Sequence, residues 1–206
     1  MPHLRLSFDL RCPSFATATS AELAATMLDI CAWADGIGFD LVYFGEHHGA
    51  EDGYLPSPLV ASAAAAGRTS RLRFRPILLT PLYDPIRLAE DLAVADLLSG
   101  GRMSPVFAAG YRQPEFAMYG VPRRERRDRV IDTIEVCRQA WTGEPFTYRG
   151  RTVTITPRPS QRPGIPIIMG GAAEAPSRRA AHLADGFDPA EPAAWEFYRD
   201  ECLSLG

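Results

Sequence analysis

Near its start the chain reads Leu4-Arg5-Leu6-Ser7-Phe8-Asp9-Leu10-Arg11-Cys12-Pro13-Ser14-Phe15. Leu4, Leu6 and Phe8 alternate with polar residues, as a strand does. Thr19-Ser20-Ala21-Glu22 then has capping-box spacing ahead of Leu23, Met27, Ile30 and Ala34, a helical stripe. A strand, a loop and a helix in that order open either a doubly wound sheet or a barrel. The doubly wound dinucleotide fold would place Gly-x-Gly-x-x-Gly after the first strand. Arg11-Cys12-Pro13-Ser14-Phe15 contains no glycine, which favours the barrel.

The same unit recurs along the chain. Leu41-Val42-Tyr43-Phe44 has no polar alternation, as suits a strand buried on both faces of a parallel sheet, and an Ala-rich helix follows it to about Gly67. Residues 72–79 read as the third strand. Asp84-Pro85 then reads as N-cap and first helical residue of a helix ending at Ser99-Gly100-Gly101. Residues 103–109 are expected as a fourth strand and residues 123–141 as a long helix stopped by Gly143. Phe146-Thr147-Tyr148 and Val153-Thr154-Ile155 flank Arg149-Gly150-Arg151 as an inserted β-hairpin. Residues 165–169 and 186–188 read as fifth and sixth strands, each followed by a helix. Six strand-helix units in strict alternation predict an α/β fold of the (β/α)8 TIM-barrel type, truncated after about six units.

The 206 residues, 46% of them hydrophobic and 23% charged, suffice for one substantial core and are short for two. We read residues 1–206 as a single, C-terminally incomplete barrel domain. The formal charge of -3 provides no basic field to draw the chain to nucleic acid or acidic lipid. Cys12, Cys31, Cys137 and Cys202 are scattered with no Cys-x-x-Cys pair, which argues against a disulfide scaffold or zinc ribbon. Arg5, Asp9 and Arg11 interrupt any signal-peptide core, and no run approaches the ~18 apolar residues of a membrane span. A cytoplasmic protein is the expectation.

In a barrel, chemistry sits where strands end. Gly45-Glu46-His47-His48, Thr80-Pro81-Leu82, Gly110-Tyr111-Arg112 and Gly170-Gly171-Ala172 occupy those places. The His47-His48 pair offers an imidazole donor or proton shuttle near neutral pH. Its plainer reading is a loop histidine bonded to Glu46 or Glu51. No metal site is expected, because adjacent side chains diverge and further ligands are lacking. Gly170-Gly171 between a strand and a helix suits an approaching anion, or is only a tight turn. The run Arg123-Arg124-Glu125-Arg126-Arg127-Asp128-Arg129 reads as a solvated helix start with pairs such as Glu125 with Arg129.

Taken together, these segments resemble the luciferase-like monooxygenase family, the bacterial-luciferase superfamily. The matching residues are Gly38 to His48, Asp84 to Asp91, Leu97 to Arg102, Gly110-Tyr111-Arg112 with Glu115-Phe116, Trp141 to Pro145, Pro166 to Gly171 and Ala184 to Phe187. The resemblance implies a barrel that binds reduced FMN or the deazaflavin F420 at its C-terminal mouth. With FMN the family oxygenates a small organic substrate, often beside a separate flavin reductase. With F420 it transfers a hydride. His47 and His48 are implied as catalytic residues. Phe44, Glu46, Thr80, Gly110, Tyr111, Arg112, Met169, Gly170, Gly171 and Ala172 are implied as cofactor-binding, and a homodimer is expected. A non-catalytic shortened flavin-binding barrel or partner subunit is the alternative.

Members of this family often carry a bulge or cis peptide in strand three, which places an expected cis bond at Arg75-Pro76. The chain also departs from the family. Ala109 stands where bacterial luciferase has an arginine before the glycine, so Arg112 would have to substitute as a phosphate contact. Ala172 and Ala173 stand where serine or threonine is frequent. The family continues through two further strand-helix units.

Overall fold

Local capping signals set the boundaries of the early helices in the computed structural model, which describes residues 4–206. After strand β1 (Arg5–Phe8), Thr19 caps helix α1 (Ser20–Ile37) with both halves of the capping box formed. The Glu22 N–H donates to the Thr19 hydroxyl (3.2 Å) and the Thr19 N–H to the Glu22 carboxylate (2.7 Å). Strand β2 (Leu41–Phe44), helix α2 (Pro58–Ala66) and strand β3 (Arg73–Leu79) follow. Asp84 then accepts from the Ile86 and Arg87 N–H groups at the start of α3 (Pro85–Ser99), and Gly100 closes that helix at φ 64°. Beyond it lie β4 (Val106–Ala108), α4 (Gln113–Met118), α5 (Arg126–Ala140), β5 (Phe146–Tyr148), β6 (Arg151–Val153), β7 (Ile168–Gly171), α6 (Glu174–Leu183), β8 (Gly186–Pro189) and α7 (Pro192–Leu205).

Six strands form one parallel sheet in the order β1-β2-β3-β4-β7-β8, curled into a half-barrel, and β5-β6 make a separate antiparallel hairpin. The sheet has two distinct faces. Val42, Phe44, Phe74, Leu78, Phe107, Ile167 and Met169 turn outward and form the main core with the helices. Tyr43, Val106 and Ile168 turn inward, with Leu41 and Ile77 packed against them.

Several boundaries differ from the sequence expectation. Residues 123–125 are a 3-10 turn, so α5 starts at Arg126. The hairpin is tighter than expected: Phe146 pairs with Val153 and Tyr148 with Arg151. Arg149 and Gly150 both take positive φ, 48° and 72°, the two-residue turn whose twist matches the strands.

The expected cis bond at Arg75-Pro76 is corrected: among the described residues the cis bonds are Thr156-Pro157 and Arg162-Pro163. Pro76 sits in straight register opposite Phe44. What it changes is the other ladder. The Phe74 N–H donates to the Arg102 carbonyl and the Phe74 carbonyl accepts from Ser104. The next donor toward β4 would be residue 76, which has no N–H. Pairing therefore lapses there and resumes in the same register at Ile77 with Val106.

One buried charge ties α1 to the start of β3. The Asp35 carboxylate accepts from the N–H groups of Ser70 (2.9 Å), Arg71 (2.8 Å) and Leu72 (2.6 Å) and from the Ser70 hydroxyl (3.1 Å). Burial pushes its pKa up, but these hydrogen bonds together outweigh that and hold it at about 2. The stabilisation is therefore complete above the unfolded carboxyl's ordinary range near 3.8 and is lost as pH falls toward 2. Asp35→Ala, which strands three amides, should cost about 3 kcal/mol in urea unfolding, with the deficit shrinking between pH 4 and 2.

Candidate active site

At the C-terminal ends of the strands the inward positions become small. Beyond Tyr43, Val106 and Ile168, the inward positions at the mouth are the small residues Gly45, Ala108 and Gly170. A side chain is excluded at Gly170, where a Cβ would lie 2.8 Å from Val106 Cγ1.

The two histidines after β2 part company. His47 Nδ1 lies 2.7 Å from Glu115 Oε1, and its Nε2 lies 3.4 Å from the hydroxyl of exposed Tyr111. Glu115, buried on α4, also accepts from the His48 backbone N–H (3.1 Å), and Arg112 stands 3.5 Å from the same oxygen. With Nδ1–H donated to Glu115, neutral His47 keeps a lone pair on Nε2, the geometry of a general base. The other carboxylate oxygen, Glu115 Oε2, is buried without a partner among the described residues.

His48 is turned into a separate small pocket of about 170 Å³, lined by Glu46, Ser57, Tyr83 and Tyr119. Its Nε2–H donates to Glu46 Oε1 (2.8 Å), and its Nδ1 accepts from the Tyr119 hydroxyl (3.0 Å). Glu46 also accepts from the Tyr83 hydroxyl (2.7 Å) and from the Leu79 N–H (2.6 Å). Burial raises the Tyr83 phenol far above its ordinary pKa, with the Glu46 charge adding to it. Burial likewise raises Tyr119, followed by the charges of Glu46 and Glu115. Both phenols stay protonated and act as donors.

A third feature lies behind the mouth, between the ends of β4 and β7 and the starts of α5 and α6. There a cavity of about 440 Å³ is lined by Arg124, Arg126, Arg127, Arg179, Met169 and Gly170. Arg127 pairs with Asp128, but Arg124 and Arg179 have no ion pair among the described residues. Burial, then the neighbouring Arg127 charge, lowers the Arg179 pKa. Helix α6 begins after Ala173, whose methyl group cannot cap it, so the Glu174 and Ala175 amides have no capping partner among the described residues, Pro176 having no N–H. The solvated-face reading of the arginine run holds for Arg129, paired with Glu125 at 3.1 Å, and for exposed Arg127, paired with Asp128 at 2.6 Å; Arg124, also exposed, and Arg126 line the cleft without an ion pair among the described residues.

The remaining sequence candidates fall as follows. Phe44 stacks outward on Phe8 at 5.9 Å. Thr80 is buried and donates to the Leu78 carbonyl (3.1 Å). Gly110, at φ 70°, turns tightly over Phe116. Arg112 is engaged with Glu115 and does not line the arginine cleft. Gly171 packs on Pro176, and Ala172 is exposed. Sequence reasoning missed the arginine cleft, because Arg124, Arg126 and Arg127 lie far along the chain from the Gly170 and Arg179 they adjoin, and it did not connect Glu115 to His47. No cluster of three or more metal-ligating side chains occurs among the described residues, and no helix among them is long and apolar enough to cross a membrane.

An α/β half-barrel with a histidine-carboxylate pair at its mouth and a cationic cleft behind it is the class this geometry defines. The luciferase-like monooxygenase family matches residues 7–202, and the chain belongs to that family. Monooxygenase RslO1 from Streptomyces bottropensis superimposes with a TM-score of 0.86 at 26% identity, covering 100% of this chain and 67% of that one. The F420-dependent glucose-6-phosphate dehydrogenase of Nakamurella multipartita is 28% identical over 98% of this chain and 60% of its own length. The oxygenase component of the flavin-dependent trigonelline monooxygenase of Acinetobacter baylyi is 27% identical over 72% of this chain and 43% of its own. The chain spans about half the length of the curated relatives it matches.

Glu46 anchors the back of this site, so Glu46→Ala should leave His48, Tyr83 and the Leu79 amide without their acceptor. A loss of about 3 kcal/mol is expected, seen as a drop of roughly 6–12 °C in Tm. Little change in Tm would show that Glu46 does not hold the pocket.

Proposed function

We propose that this chain is an oxidoreductase of the luciferase-like type, acting on a small organic substrate with reduced FMN or F420 as its electron carrier. The observation that carries the reading is the arginine cleft behind a mouth of small inward residues. Arg124 and Arg179, which have no ion pair among the described residues, fit a phosphate beside Arg127. Arg124, Arg127 and Arg179 would hold the cofactor's phosphate, with the first amides of α6. The flavin or deazaflavin supplies the redox chemistry when bound.

His47, held by Glu115 through Nδ1, takes or returns a proton at Nε2, beside the Tyr111 hydroxyl. His48, buried with Nε2 on Glu46 and Nδ1 on Tyr119, serves to position the loop that carries His47. Tyr111, exposed beside His47, bounds the substrate space. For an FMN-dependent reaction a separate flavin reductase is the expected partner. Val60 on α2 with Val94, Leu97 and Leu98 on α3 are exposed apolar residues that give a homodimer a surface.

Titration with FMN, F420 and riboflavin tests the reading. FMN or F420 should bind and raise Tm, whereas riboflavin, lacking the phosphate, should bind at least tenfold more weakly. The double variant Arg124→Ala/Arg179→Ala should weaken the phosphate-bearing cofactor at least tenfold and leave riboflavin unchanged, since about 1.4 kcal/mol is a factor of ten. Protection by none of the three would overturn the proposal. Cofactor binding without turnover would instead point to the non-catalytic shortened barrel. In an active preparation, His47→Gln should lower turnover roughly 100-fold with little change in cofactor Kd.

A further inference from the structure

The loop that leaves β2 brings a second polar group to the inner side of the mouth. Gly45 extends the β1-β2 ladder, its N–H donating to the Phe8 carbonyl (3.0 Å). Alternation turns position 45 inward, as it does Tyr43. The place a side chain would take there is filled by Tyr54: a Cβ on Gly45 would lie 2.3 Å from the Tyr54 hydroxyl oxygen. Glycine at 45 is therefore the condition for a phenol at that point of the mouth.

Tyr54 is also firmly held. The Leu55 N–H donates to the Asp9 carbonyl (2.8 Å), the His47 N–H to the Leu55 carbonyl (3.2 Å) and the Cys12 N–H to the Asp52 carbonyl (2.6 Å). Gly53, at φ +68°, makes the turn just before it. The Tyr54 ring meets His47 edge-on at 4.7 Å between centroids, and the Arg11 guanidinium lies 4.9 Å from the ring centroid on its other contact. Arg11 can only donate, so it leaves the phenolic hydrogen available to a ligand. Burial, followed by the Asp9 charge, raises the phenol's pKa and keeps that hydrogen in place.

We propose that Tyr54 is a cofactor-contacting residue that donates its phenolic hydrogen to a carbonyl oxygen of the flavin or deazaflavin ring bound beside His47. This rests on the cofactor reading above. It adds a recognition group for the ring itself, independent of the arginine cleft that serves the phosphate. No bond is made or broken: the hydroxyl selects and orients a ring that presents a carbonyl acceptor at this side of the mouth.

The test uses the full chain and Tyr54→Phe, which keeps the ring on His47 and removes only the donor. Each is titrated with FMN and with F420, and the bound ring's carbonyl stretch is read by infrared difference spectroscopy. Tyr54→Phe should raise Kd roughly three- to tenfold and move a carbonyl band to higher frequency. Gly45→Ala, which displaces the hydroxyl from the inner face while retaining Tyr54, should act in the same direction and decides the matter if Tyr54→Phe does not fold. Unchanged Kd and an unmoved band, in a parent protein that binds cofactor, would overturn this proposal and leave the cofactor reading intact. A parent that binds neither cofactor overturns both.

Discussion

The carboxylate of Glu46 is the interaction on which the rest of the site depends. It is fully buried, and it is saturated by donors from three other parts of the chain: the Leu79 amide at the end of β3, the Tyr83 hydroxyl beyond it and the His48 ring. An ionised group in such surroundings is tolerable only if its oxygens are satisfied. The ends of β2 and β3 are thereby held together at the rim of the half-barrel, where no further ladder bonds join them. Once His48 is drawn back to Glu46, its neighbour His47 is left facing the mouth, and the His48 amide is left to meet Glu115. One buried carboxylate thus sends two adjacent histidine side chains to different partners, His48 to Glu46 and His47 to Glu115.

A second constraint is the two-faced strand. Outward positions carry Phe44, Phe74, Leu78 and Phe107 into a continuous core with the helices, which is where burial of apolar surface stabilises the fold. Inward positions are large at the floor and small at the rim. The floor is closed by Tyr43, Val106 and Ile168, and the rim carries Gly45, overlaid by Tyr54, with Ala108 and Gly170. A rigid sheet with small residues at one end is a way to make a concave site without destabilising the core beneath it.

The architecture was legible because it is written in local signals. Strand runs, the Thr19 capping box, Asp84-Pro85 and Gly100 each act within a few residues, and the alternation of strands and helices limits the topology. What was not legible depends on distant contacts. The position of Glu115 against His47 spans 68 positions, and no spacing rule reports it. The hairpin register was misplaced because Arg149 takes a positive φ that its side chain does not advertise. Pro76 suggested a cis bond, whereas the structure uses it to interrupt a ladder. Tyr54 lay in a loop whose path is set by Asp9, Asp52 and Leu55 backbone groups, so its place on Gly45 could not be read in advance.

The arginine cleft is the clearest departure from local charge balance in the chain. On an exposed helix start, alternating Glu125, Asp128 and arginines would neutralise one another, and Arg129 with Glu125 does so. Yet Arg124 and Arg179 are drawn to a common cavity where Arg127 is already present, and the charge of Arg127 disfavours Arg179. Folding alone does not reward gathering like charges in a partly buried cleft. An anion entering the cleft would offset the repulsion between Arg127 and Arg179 and the burial that disfavours the Arg179 charge. Under the proposed reading, charge from Arg127 and Arg179 would take the place of hydroxyl donors at Ala172 and Ala173.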